Sequence, residues 1–122
     1  MITSLFAYGT LMPGQPRWDE LERWCCPGSA RATTAGGAIF RTPYGWPAAV
    51  FDRTAGTTIP GVRVHLHEAT LDDALQRLDD IEGVASNLFD RITVILTCGA
   101  VAWAFAWPHP TEGFEPIEAW VP

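Results

Sequence analysis

The chain has 122 residues, 48% of them hydrophobic and 18% charged, and fourteen acids against eight bases give a formal net charge of −6. That length predicts one domain over residues 1–122 around one core, and so apolar a composition excludes a disordered chain. All eight bases are arginine, which rules out a Schiff-base lysine and a P-loop lysine, and the acidic balance leaves no basic stripe for nucleic acid.

Taken in chain order, Ile2–Tyr8 reads as a first strand that stops at Gly9. Its start lacks the positive flank of a signal peptide, so a cytoplasmic location is expected. Pro13-Gly14-Gln15-Pro16 is a turn, and Arg17–Cys25 predicts a short helix with Trp18, Leu21, Trp24 and Cys25 at helical spacing. Between Ser29 and His67, β-prone pieces alternate with Gly- and Pro-marked turns, predicting strands over Ala30–Phe40, Ala48–Phe51 and Gly61–His67. A second helix is predicted over Thr70–Glu82. The uncharged run Ile92–Trp107 is 16 residues long, short of the ~20 that a membrane helix needs. With Thr97-Cys98-Gly99 at its middle it predicts a β-hairpin and no membrane partner. Pro108, Pro110, Pro116 and Pro122 predict an extended tail. Many short strands with one or two short helices indicate an α+β domain with a small, mixed, barrel-like sheet.

The second helix carries an anomaly. Thr70 and Asp73 have capping-box spacing, and Gly83 supplies a stop. At ~100° per residue from Leu71, the residues Ala74, Leu75, Leu78 and Ile81 form one apolar arc, with Asp73 and Asp80 opposite and Asp72 and Asp79 on its flank. Glu82 falls inside the apolar arc. Two outcomes are open: the last turn frays and Glu82 swings into solvent, or the carboxyl is partly buried, with a raised proton affinity suited to proton transfer.

Phe6-Ala7-Tyr8-Gly9-Thr10-Leu11-Met12 is a strand running into a glycine turn, where successive backbone N–H groups can form a nest for an anion. Tyr8-Gly9-Thr10-Leu11 resembles the signature loop of the gamma-glutamylcyclotransferase-like superfamily. Leu78-Asp79-Asp80-Ile81-Glu82-Gly83, followed by Phe89-Asp90-Arg91, resembles its second signature, and Gly45-Trp46-Pro47-Ala48 its Pro-containing strand start. The resemblance covers nearly the whole chain.

It implies a small mixed β-barrel with a pocket at one end and an enzyme of the gamma-glutamylcyclotransferase or gamma-glutamylamine cyclotransferase type. In such enzymes the alpha-amine of a gamma-glutamyl amide attacks its own gamma-carbonyl, releasing 5-oxoproline and a free amine, with no cofactor and no metal. The resemblance makes Glu82 the general acid/base and the Tyr8, Gly9, Thr10 and Leu11 loop the holder of the glutamyl moiety. Phe89 and Arg91 complete the expected substrate-binding set, with Phe89 where tyrosine is common and Val84-Ala85-Ser86-Asn87 departing from the Pro-containing pattern. A loop amide or the Tyr8 hydroxyl would stabilise the oxyanion, and Trp46 or Trp107 would line an entrance for an apolar leaving group. Two other readings stay open: a module that binds a gamma-glutamyl or other carboxylate ligand without turnover, and a deacylase of a gamma-glutamyl-protected intermediate.

Competing constellations are weaker. His65 and His67 share a strand face, but the nearby acid Glu68 points the other way, so ordinary strand histidines are expected. No serine lies in a Gly-x-Ser-x-Gly elbow. Cys25, Cys26 and Cys98 read as reduced thiols.

Overall fold

The computed structural model describes residues 1–121. Seven strands form one mixed sheet: β1 (Ser4–Ala7), β2 (Arg31–Arg41), β3 (Pro47–Phe51), β4 (Thr58–His65), β5 (Asp90–Ile95), β6 (Val101–Ala106) and β7 (Glu115–Ile117). Along the sheet the order is β3-β2-β4-β1-β6-β5, with β7 on the second half of β2. All pairings are antiparallel except β1 with β6. The long β2 pairs with β4 through residue 36 and with β3 from residue 37, so it turns the corner of the sheet. Trp107 N–H then donates to the Ala49 carbonyl at 2.9 Å, bringing the β6 end against β3 and nearly closing the barrel.

Two α-helices lie against this sheet, α1 (Trp18–Glu22) and α2 (Leu71–Glu82). In α2 the residues Leu71, Ala74, Leu75, Leu78 and Glu82 are buried, the i, i+3/i+4, i+7, i+11 stripe expected of a helix laid on a sheet. The four apolar members pack with Leu5, Val64, Phe89 and Phe105 from the strands and their ends. Gly83 ends the helix at φ 69°, a left-handed geometry that glycine adopts without a Cβ penalty.

Several expected boundaries move, each for a tertiary reason. The first helix stops at Glu22 rather than Cys25, because Cys26 N–H donates to the His65 carbonyl and His67 N–H to the Trp24 carbonyl, pulling the chain into a bridge beside β4. The β4 strand begins at Thr58 rather than Gly61 because Thr58–Pro60 pair with Thr34–Gly36. The predicted capping box does not form. A 3-10 turn over Glu68–Thr70 feeds directly into α2, the Leu71 N–H donates to the Glu68 carbonyl, and the Thr70 side chain makes no capping bond. The hairpin of β5 and β6 turns through Thr97–Gly99 as expected. Of the prolines expected to extend the tail, Pro116 lies in β7 and Pro122 falls outside the described residues. Among the described residues no helix is long and apolar enough to cross a membrane.

Candidate active site

One cavity opens where β1 ends, where α2 ends and where β3 begins. Tyr8, Gly9, Thr10 and Leu11 line it from the loop after β1, Glu82 from the C-terminal turn of α2, and Pro47 and Phe89 from the walls. Water-sized groups find about 70 Å³ for their centres, where one water needs about 10–15 Å³, so the space suits the compact head of a small molecule. Trp46 lines it as well.

Glu82 is only 7% exposed, so α2 does not fray and the carboxyl stays on the apolar stripe. Burial pushes its pKa up to about 7, against the opposing pull of Arg17. The Tyr8 hydroxyl is also buried, and desolvation, with the Glu82 charge, holds its pKa well above the ordinary phenol value. It donates to the Phe105 carbonyl. That proton is committed to the barrel wall, which removes the Tyr8 hydroxyl as an oxyanion donor.

The loop supplies donors in its place. Met12 N–H caps the Gly9 carbonyl at 3.0 Å, and Arg17 N–H caps the Thr10 carbonyl at 2.9 Å. Among the described residues, the backbone N–H groups of Gly9, Thr10 and Leu11 make no hydrogen bond to protein. Three successive N–H groups without a protein partner, on residues that line a cavity, are donors available to an anion. The loop can take this course because Gly9 has no side chain: a Cβ there would lie 2.7 Å from Pro47 Cγ.

Two arginines exchange the places that sequence gave them. Arg91 does not line the cavity, which corrects its expected role in binding. Its Nε and Nη2 reach Asp79 Oδ1 and Oδ2 at 2.7 and 3.2 Å, and its guanidinium lies 4.4 Å from the Trp103 ring centroid. It fastens α2 to the sheet one turn before Glu82. Arg17, read from sequence only as a helix start, lines the cavity instead and donates from Nη1 to the Ile81 carbonyl at 3.3 Å. Its only sequence signal was a cation close behind the signature loop. Phe89 is buried at the cavity wall and packs edge-on to Trp107, with ring centroids 5.5 Å apart.

The other constellations stay apart from this cavity. His67 Nδ1 lies 3.6 Å from Cys26 Sγ and His65 Nε2 lies 3.3 Å from the Arg63 guanidinium. Among the described residues no three His, Cys, Asp or Glu side chains converge as metal ligands. The Cys25 thiol donates to the Leu21 carbonyl, and burial pushes its pKa up to about 12. Cys98 is exposed in the hairpin turn, its pKa lowered chiefly by a backbone hydrogen bond at Ala100.

A buried carboxyl with a raised proton affinity, three unpartnered loop amides and an arginine can together hold a small zwitterionic or acidic molecule and move protons on it. The family model described as "Gamma-glutamyl cyclotransferase, AIG2-like" matches residues 5–121. No curated protein matches the sequence. Among solved structures, an uncharacterized protein from Pyrococcus horikoshii is similar with a TM-score of 0.69 at 19% identity, over 95% of this chain and 86% of that one. An AIG2-like protein from Mus musculus gives 0.64 at 17% identity, over 98% and 88%. A gamma-glutamyl cyclotransferase gives 0.60 at 15% identity, over 93% and 69%. At these identities the structural likenesses establish the fold, a small mixed sheet nearly closed into a barrel.

Proposed function

The chain belongs to the gamma-glutamyl cyclotransferase, AIG2-like family, and from that premise we propose that it cyclises a gamma-glutamyl amide, releasing 5-oxoproline and a free amine. The observation that carries this reading is the burial of Glu82 in the same cavity as the unpaired Gly9–Leu11 amides. An ionised glutamate near its ordinary pKa is a weak base and a scarce acid at neutral pH; at about 7 it serves as both.

The nucleophile belongs to the substrate. Its alpha-nitrogen attacks its own gamma-carbonyl carbon, a C–N bond closes the five-membered ring, and the bond to the departing nitrogen breaks. Two protons must travel from the alpha-ammonium to the leaving nitrogen. Glu82 carries them one at a time and ends ionised, as it began. The Gly9–Leu11 amides and the Arg17 guanidinium hold the alpha-carboxylate, which fixes the bent glutamyl chain, and a loop N–H faces the oxygen that becomes negative. Holding the two reacting ends together is worth up to ~7–11 kcal/mol in well-oriented intramolecular reactions. That is why so small a set of side chains suffices.

The test is Glu82→Gln, which keeps the shape and removes the titratable group. Wild-type protein should release 5-oxoproline from simple gamma-glutamyl amides, and the variant should bind the same amides and release none. Turnover by the variant near the wild-type rate overturns the assignment of Glu82. Binding without any product from wild-type protein would instead mark a non-catalytic module.

A further inference from the structure

Beside the cavity lies a feature that ring closure does not require. Tyr44, Trp46, Trp107 and Phe114 line a shallow groove of about 500 Å³ that adjoins the cavity, since Trp46 and Leu88 line both. The rings support one another: Tyr44 lies 5.6 Å from Trp46, stacks at 6.4 Å on Trp107 and meets Phe114 edge-on at 6.4 Å. Tyr44 is nonetheless 55% exposed, an aromatic surface held open to solvent. Glu112 brings a carboxylate to the same groove, and no arginine lines it. Arg41 lines an adjoining hollow and sits with its guanidinium 5.5 Å from the Trp120 ring centroid. The one basic side chain in the groove is His109, whose Nε2 is 2.7 Å from the Asn87 carbonyl; aromatic faces and the Glu112 carboxylate attract a positive charge and repel a negative one.

We infer that this groove is the subsite for the leaving amine, and that it selects an amine carrying a second, protonated nitrogen and no carboxylate. The inference rests on the cyclotransferase reading above. The glutamyl head fills the small cavity, the scissile bond lies at the Trp46–Leu88 boundary, and the distal ammonium lies over the rings toward Glu112.

Three gamma-glutamyl amides of similar length test it: those of 1,5-diaminopentane, n-hexylamine and 6-aminohexanoate, with the ethylamide as a control too short to reach the groove. Release of 5-oxoproline from the diamine amide should exceed that from the hexylamide in kcat/KM by several-fold to about thirtyfold, and the carboxylate amide should be the poorest. Glu112→Gln and Tyr44→Ala, both at exposed positions, should bring the diamine-to-hexyl ratio toward one. Equal kcat/KM for the three, a preference for the neutral hexylamide, or a ratio unmoved in both variants overturns the subsite while the reaction stands. No product from any amide, the ethylamide included, overturns the reaction itself and the subsite with it.

Discussion

The Arg17 guanidinium donates to the carbonyl of Ile81 at 3.3 Å and so holds a positive charge one residue away from Glu82, although 64 residues separate Arg17 from Ile81 in sequence. Burial raises the proton affinity of Glu82 and Arg17 lowers it, leaving the carboxyl near pH 7. Desolvation alone would hold the proton more tightly, and full pairing with a cation would favour the carboxylate. The balance between the two gives a group able to exchange protons.

Arg17→Gln should upset that balance in a known direction. With the cation gone, the proton affinity of Glu82 rises, so the acidic limb of the pH–rate profile for 5-oxoproline release moves to higher pH. A charged donor to the substrate carboxylate is lost as well, which should lower kcat/KM at neutral pH by about ten- to a hundredfold. Profiles of wild type and variant across the acidic and neutral range decide the matter. A limb that stays in place or moves toward acid contradicts the coupling.

Glu82→Gln should also leave a mark on stability. The folded-state pKa, about 7, is raised above the ordinary value of 4.5. Between these values the folded protein holds more protons than the unfolded chain. The contribution of Glu82 is therefore fully present below about pH 4.5 and is lost as pH rises through about 7. That loss is on the order of 3 kcal/mol. Urea unfolding at a series of pH values should show the variant gaining on wild type as pH rises. A gap that widens toward acid instead would mean that Glu82 is stabilised as a carboxylate.

Gly9→Ala probes the close approach of loop and wall. The new methyl would meet the Pro47 ring at 2.7 and 3.0 Å, and a pyrrolidine ring at a strand start has no rotamer to escape into. Overpacking of this kind costs about 1–3 kcal/mol. Because both residues line the cavity, the substrate KM should rise together with the fall in urea midpoint. Wild-type values for both would show that the loop absorbs a methyl group freely.

Glu82 could be found in the sequence because it breaks a pattern: one acid stands on the apolar arc while Asp73 and Asp80 keep to the opposite face. The loop could be found because Tyr8-Gly9-Thr10-Leu11 resembles a family signature; a strand running into a glycine turn is by itself a common connector. Arg17 could not, since its place depends on how α1 meets the end of α2, a contact between residues 64 apart. The aromatic groove was only half visible: Trp46 and Trp107 are conspicuous, but Tyr44, Glu112 and Phe114 join them only through the course of the two loops. The capping box was plausible chemistry that the 3-10 turn Glu68–Thr70 made unnecessary.

Arg91 shows the opposite error, a residue placed in the site by its neighbours in sequence. Phe89 two positions earlier does line the cavity, but Asp79 on α2 captures the Arg91 guanidinium in a two-pronged bond and Trp103 covers one face of it. A planar fork suits both contacts and a lysine suits neither. Arg91→Lys should therefore lower stability by about 1–2 kcal/mol, nearly as much as Arg91→Ala. If the helix end is held by this bond, both variants should also lower kcat while KM stays close to wild type, since the guanidinium touches α2 and not the cavity. A large rise in KM at unchanged stability would return Arg91 to the substrate.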